Sequence, residues 1–481
     1  MKSQSMILGR VAALALACLT LAQDAVAQAD TQRRLERAVR QADESFRLRV
    51  DPTLDVGERS IIDAGGTASM SFINLIDSAS NSRRLWQPEI TLYGRAAIDR
   101  VHIFYVRSRF QYRAFSEGDS FDERGDQWTE PILDRYWYEF DLRRAVRAYE
   151  GREIDGTFNL RVGRQFVDWG AGLALSEQLI GARAVAEIDQ LFVEGIAAVT
   201  PTDESIVDFD ASRAEYNNNT ERAFFGGRIG WEFEGGNRIY GYYLRQQDYN
   251  SDNRARAALP FNVDFDYDSQ YIGIGTRGSI GSQFRYLGEF VYQIGESMSD
   301  PLRGPQTEED IRAWAARGQM SYFFRDEWRS RLEFEVLMAS GDDDRFLSTD
   351  TVGGNQSGTD DTGFNSLGFA NTGLAFAPSL SNVLIFRLGY SAFPFREVNG
   401  FERLQFGADL FVHNKLDKDA PIDEPTGSDH FLGVETDIYM NYRVTSDLSL
   451  AVRFGLFFPG DGITGETDVR NFLFVGATLS F

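Results

Sequence analysis

Arginine is the residue type in this chain with the most chemistry to offer. Arg107, Arg109 and Arg113 share one face of an extended segment, and Phe104, Val106, Phe110 and Tyr112 share the other. An arginine presents a planar fork of donors, grips carboxylates in pairs of bonds and stays charged at any relevant pH. Three like charges in one row repel each other. Such a row reads as a ladder of weak, successive carboxylate sites on a channel wall. The same two-residue phase places Arg245, Arg277, Arg285, Arg317, Arg331, Arg387, Arg403 and Arg453 on the face away from apolar neighbours. It also places Glu139, Asp141, Glu232, Glu289, Glu333, Glu335, Asp409, Glu435 and Asp437 there. A second use of these charges is therefore open, as Arg–carboxylate ladders that only hold neighbouring strands together. Lysine occurs only at 2, 415 and 418.

Other chemistry is sparse. His102, His413 and His430 lie far apart and show no metal-ligand spacing. There is no GxSxG and no phosphate loop. Asp342, Asp343 and Asp344 crowd hard oxygen ligands together, as a Ca²⁺ site would, and equally as a solvated acidic loop would. The sequence predicts no enzyme and no cofactor.

The elements that must position these residues are strands. From about Gln87 onward, segments of 8 to 14 residues alternate between apolar and polar positions, separated by turn clusters. Eighteen are legible, near 87–98, 101–114, 132–146, 156–167, 171–180, 189–200, 222–234, 237–248, 268–280, 282–295, 311–325, 327–341, 370–380, 382–394, 400–413, 430–444, 446–459 and 470–481. The weakest are 171–180 and 370–380, and without them the count is sixteen. Tight separators such as Glu234 to Asn237 and Thr445 to Asp447 alternate with long ones at 115–131, 249–267, 296–310, 342–369 and 414–429. That asymmetry predicts an all-β, transmembrane, antiparallel up-and-down barrel with short turns on the periplasmic side. The mean hydropathy of -0.32 is compatible, because half of each strand faces water. So are 45 Gly, 38 Phe and 19 Tyr. The formal net charge of -23 sits largely in the loops, and 342–361 alone hold six aspartates.

The two ends of the chain agree. Leu473, Val475, Ala477, Leu479 and Phe481 form the apolar face of a last strand that ends on an aromatic residue, the pattern that outer-membrane assembly machinery recognises. Lys2 and Arg10, the apolar run Val11 to Leu21 and Ala25-Val26-Ala27 before Gln28 read as a signal peptide over 1–27. The single cysteine, Cys18, falls inside it, so thiolate metal sites and cysteine catalysis are excluded from the mature chain. Residues 28–86 read as a periplasmic lead-in or plug with a short helix over Gln32 to Phe46, and 87–481 as the barrel. The expected location is the outer membrane of a Gram-negative bacterium. The expected partners are its lipid and lipopolysaccharide and the barrel assembly machinery, with no nucleic acid.

Several segments resemble one family, the alginate export family of outer-membrane barrels. They are Arg161-Val162-Gly163-Arg164-Gln165, Ala339-Ser340-Gly341-Asp342 and the run from His430 to Asp437. That run continues into Tyr442-Arg443, Leu448-Ser449-Leu450 and Phe457-Phe458-Pro459-Gly460-Asp461. The resemblance spans roughly 87–481. It implies an eighteen-strand barrel that passes an anionic polysaccharide outward through an Arg-rich constriction, with that polymer and periplasmic export proteins as expected partners. The region 170–215, with Gly170-Ala171-Gly172-Leu173, departs from the pattern of the alginate-exporting member. Two other functions remain open on the residues: a diffusion porin for small acidic solutes, and a barrel scaffold or outer-membrane enzyme.

Overall fold

The computed structural model describes residues 59–481 except 77, 79, 117–126, 202–220, 234, 250–253, 256–261, 264–265, 301–302, 346–354 and 423. Eighteen strands form one sheet. The first nine are β1 (Ser60–Ile76), β2 (Ser82–Ile98), β3 (His102–Phe115), β4 (Gln127–Asp141), β5 (Gly156–Trp169), β6 (Leu175–Ile188), β7 (Leu191–Val199), β8 (Arg222–Phe233) and β9 (Asn237–Asp248). The second nine are β10 (Tyr267–Ile280), β11 (Phe284–Met298), β12 (Glu308–Phe323), β13 (Arg331–Ala339), β14 (Val383–Ala392), β15 (Leu404–Asn414), β16 (Phe431–Arg443), β17 (Leu448–Pro459) and β18 (Arg470–Ser480). Each pairs antiparallel with the next. The ring closes where β18 pairs with β1, from Thr67↔Ser480 to Leu75↔Phe472. The terminal residue extends that seam: Phe481 N–H donates to Gly66 O at 3.0 Å, and Gly66 N–H donates to Phe481 O at 2.9 Å. Closure leaves no unpaired sheet edge.

Alternation explains why these segments are strands. In β14, Val383, Ile385 and Arg387 are buried while Phe386, Leu388 and Tyr390 are exposed. The same phase in β3, β10, β11 and β13 turns Phe104, Ile274, Phe290 and Phe334 outward. The outer wall is therefore predominantly apolar, and most polar alternates point into the barrel.

The two ends differ. At the turn end the connections are 99–101, 189–190, 234–236, 281–283, 324–330, 393–403 and 444–447, with one short helix, α1 (Leu142–Glu150), between β4 and β5. At the loop end lie 77–81, 116–126, 170–174, 200–221, 249–266, 299–307, 340–382, 415–430 and 460–469, of which 77–81 and 170–174 are short. The Asp141 carboxylate caps α1 by accepting from Arg144 N–H at 3.0 Å, and Gly151 ends it with φ 69°. Asp141, expected inside the barrel, thus serves the helix instead.

Eighteen strands were expected and eighteen are present, but not the same eighteen. The barrel wall begins at Ser60, so residues 60–76 and 82–86 belong to it and not to a lead-in. β1 carries Gly65, Gly66, Thr67, Ser69 and Ser71, small residues that blur the apolar–polar contrast. Conversely, 370–380 is not a strand but part of the connection from β13 to β14. The signal peptide and the helix expected over Gln32 to Phe46 lie outside the described residues. Among the described residues no helix is long and apolar enough to cross a membrane.

Candidate functional site

Of the arginines singled out by phase, nine point into the barrel. Arg107, Arg109 and Arg113 lie on the face of β3 away from Phe104, Val106 and Phe110. Arg277, Arg285, Arg317, Arg331, Arg387 and Arg453 take the inward phase of β10, β11, β12, β13, β14 and β17. Two do not. Arg245 stands on the outer face of β9 with Ile239 and Tyr243, 4.0 Å from Asp268, because the buried phase there is Tyr240, Tyr242, Leu244 and Gln246. Arg403 is exposed in the turn before β15, beyond the end of the strand expected to hold it.

The inward charges are interleaved. Arg387 Nε donates to Glu335 at 2.9 Å, its Nη1 to Asp409 at 3.0 Å, and it also bonds Glu333. Arg331 pairs with Glu333, and Arg317 Nε lies 2.7 Å from Glu335. On the opposite wall Arg107 makes a bidentate pair with Asp134, both buried. Glu194 is shared by Arg183, Arg228 and the Trp169 indole N–H, the last at 3.1 Å. Arg161 Nε donates to Glu139 at 2.8 Å. The ladder reading therefore holds for Arg107, Arg317, Arg331 and Arg387. Asp134 and Glu194 escaped the sequence reading. Asp134 sits where register shifts break the regular phase between β3 and β4, at Arg107/Arg109 and Arg109/Gln111.

Two connections from the loop end fold into the lumen and meet. Ser176 N–H donates to Leu367 O at 3.0 Å, Phe369 N–H to Gly172 O at 2.6 Å, and Ser366 Oγ to Leu173 O at 2.6 Å. Each is pinned by a buried carboxylate from the wall. Glu289 on β11 accepts from Ala171 N–H at 2.6 Å and from the Tyr240 and Tyr242 hydroxyls. Arg317 Nη1 donates to Ala171 O at 2.9 Å. Glu435 on β16 accepts from Leu374, Ala375 and Phe376 N–H, the last at 3.0 Å. A glycine at positive φ lies against each carboxylate. Gly170 has φ 61° and Gly373 has φ 112°. A Cβ at Gly170 would lie 1.8 Å from Glu289 Oε2, and one at Gly373 would lie 2.7 Å from Glu435 Oε2. Successive amides converging on one anion make a backbone nest, and only glycine admits the carboxylate so closely. Glu435 sits in such a nest, while Glu289 combines one amide with two tyrosine hydroxyls, and Trp169, Leu175, Phe224, Tyr271, Phe364 and Leu367 form an apolar core inside the barrel. Glu435, expected on the substrate path, is a loop anchor. Asp437 is buried beside it.

The acidic triplet also has a structural task. Oxygen atoms of Asp342, Asp343 and Asp344 lie within 4.8 Å of one another. Asp342, past the end of β13, accepts from Asp344 N–H at 3.0 Å and Thr362 N–H at 3.3 Å. Burial, reinforced by the Asp361 charge, raises its carboxyl to about 6. Arg345 answers both acids, at 2.7 Å from Asp361 and 3.7 Å from Asp342. The histidines stay apart. His102 bonds the Tyr138 hydroxyl, His430 bonds Lys415 O, and His413 is buried among Phe376, Phe411 and Phe457.

Toward the turn end, arginines and carboxylates alternate on the inward faces of the strands. A sequence profile of the alginate export family matches residues 108–475. The chain belongs to the alginate export family. Its fold is similar to that of solved Pseudomonas aeruginosa barrels. OccK5 (OpdH) superposes with a TM-score of 0.51 at 12% identity, over 87% of this chain and 98% of that one. OccK11 (OpdR) gives 0.51 at 12%, over 90% and 100%. OpdK with vanillate gives 0.51 at 11%, over 87% and 99%. No curated protein gives a significant sequence match. Likeness at such identities speaks for the barrel alone. The family membership carries the functional reading.

Proposed function

We propose that this alginate export family member is an outer-membrane channel that passes an anionic exopolysaccharide outward, and not an enzyme. The observation that carries the reading is the set of inward arginine–carboxylate pairs, which would line a chamber toward the turn end. Arginines on β2, β3, β5, β6, β8, β9 and β12 to β14 reach its wall, each beside a carboxylate. An acidic polymer there would exchange one carboxylate partner for another without leaving a buried guanidinium unmatched, which suits transit in many weak steps. The apolar outer wall supports placement across a lipid bilayer, with the short turns and the described N-terminal strand end on the periplasmic side. Arg109, Arg113 and Arg453 are the arginines assigned to selectivity. Arg107 is set aside, because Asp134 holds it.

The test is single-channel recording with a hexuronate oligosaccharide. The wild type should be anion-selective and blocked by the oligomer, and Arg109→Gln/Arg113→Gln should lower both. Unchanged reversal potential and unchanged block in the double variant would overturn the role of these arginines. Passage of small carboxylates without any oligosaccharide block would favour a diffusion porin. Direction is read separately: a tag at Gly358 should be labelled on intact cells and one at Gly235 should not, and the reverse would invert the topology.

A further inference from the structure

Four inward side chains on neighbouring strands make a row at the turn end. Tyr93 on β2 and Tyr105 on β3 have centroids 6.2 Å apart at 19° between planes. Tyr105 and Trp137 on β4 are 5.3 Å apart, again at 19°. The Arg161 guanidinium on β5 lies 4.1 Å from the Trp137 centroid. The register is oblique. Tyr105 faces Trp137 directly, while Tyr93 pairs with Arg107 and Arg161 with Glu139. Tyr93 leans over the adjoining strand, where a Cβ at Gly65 would lie 3.0 Å from its ring. The near-parallel rings overlap as tiles do, across ~15 Å of wall at ~4.8 Å per strand.

Ordinary cross-strand pairing would also stack aromatic rings. The molecule shows what that looks like at Tyr240 and Tyr242. Both lean over glycines of β10, both are 5% exposed, and both hydroxyls are spent on Glu289. The row at Tyr93 is different. Its three rings are only half-buried, on the inward face of the barrel. The Tyr93 and Tyr105 hydroxyls and the Trp137 indole N–H make no hydrogen bond to another described residue. The Arg161 charge is answered by Glu139, so the row attracts by its surface more than by net charge.

We infer that this row is a stacking track for pyranose rings at the chamber entrance. The apolar C–H face of a sugar fits an aromatic face, and polar edges beside the ring serve its hydroxyls. The track rests on the channel reading and deepens it, because it selects a sugar polymer over a small aliphatic acid. It would hold the backbone of the polymer while the arginines of β3 meet its carboxylates.

The experiment compares residence times of a hexuronate oligosaccharide and a neutral hexose oligosaccharide of equal length in single channels. Trp137→Leu should shorten both residence times, on the order of tenfold, with an unchanged reversal potential. Trp137→Phe should retain most of the wild-type time, and Tyr105→Leu should repeat the loss if Trp137→Leu fails to assemble. Unchanged residence in both leucine variants, or a loss confined to the acidic oligomer, would overturn the track. If anion selectivity and block that depends on Arg109 and Arg113 persist in that case, the channel reading stands without it. A wild type that is neither anion-selective nor blocked by the acidic oligomer would instead sink the channel reading.

Discussion

The loop-end and turn-end halves of the barrel use the same residue types to opposite ends. Where the two loops enter from the loop end, carboxylates hold the chain: Glu435 is fully buried under three backbone amides, and Glu289, 5% exposed, takes one amide and two tyrosine hydroxyls. In the turn-end half, carboxylates face guanidinium groups, and at the rim water reaches both, with side-chain exposures of 19% at Arg238 and 44% at Glu232, while Glu333 and Glu335 deeper in stay buried. A buried anion matched to fixed dipoles holds a loop in one place. A half-exposed anion matched to a mobile cation can trade partners. The first half is built to stay, the second to exchange.

The sharpest way to break this contrast is Glu435→Ala. It leaves the amides of Leu374, Ala375 and Phe376 without their acceptor, at about 1–3 kcal/mol for each buried orphan. The loop should leave its seat. Channel conductance should rise several-fold, and amide exchange at 374–376 should accelerate on the order of 100-fold. Unchanged conductance and exchange would show that the apolar core alone holds the loop.

Next in size is Arg387→Met. Glu333, Glu335 and Asp409 would lose their common cation, which costs about 3–5 kcal/mol for a buried network broken on one side. The barrel should unfold at lower temperature in the heat-modifiability assay, and ion selectivity should move toward cations. Adding Glu335→Gln should recover part of the loss, since the two sites are coupled. Exchange at 374–376 should stay at the wild-type rate. A faster rate there would mean that the two halves are not independent.

The smallest effect is expected for Tyr242→Phe. The ring keeps its place over Gly273, and Glu289 keeps Tyr240 and Ala171 as donors. A loss of about 1 kcal/mol in denaturation should accompany unchanged conductance. A large conductance change would make that one hydroxyl the pin of the short loop.

Much of the barrel was legible, and the reasons are local. Phe386, Leu388 and Tyr390 alternate with Ile385, Arg387 and Gly389, so the inside and the outside of β14 can be read by counting. The method failed where the apolar phase is weak or borrowed. In β1 small residues hide the alternation. At 370–380 an alternating pattern belongs to a segment whose amides go to Glu435 and not to a neighbouring strand. Arg245 was misplaced because tyrosines occupy both faces of β9, so an apolar neighbour did not mark the lipid side. The roles of Glu289 and Glu435 were out of reach. Their inward direction follows from phase, but their partners come from connections 118 and 61 residues away in sequence. The departure of Gly170-Ala171-Gly172 from the family pattern was the one visible trace of the short pinned loop.

The seam between β1 and β18 has a consequence for how this protein comes to exist. Its final hydrogen bonds join Gly66 to the last residue of the chain. Neighbouring hairpins such as β1 with β2 can form from local sequence, but the ring cannot shut until β18 has been made and delivered to β1. Until then β1 presents an open edge that any strand could join, and every residue lost from the carboxyl end lengthens that edge. The molecule is thus a lock whose last tooth is β18. A partial chain would be a curved sheet, and never a smaller pore.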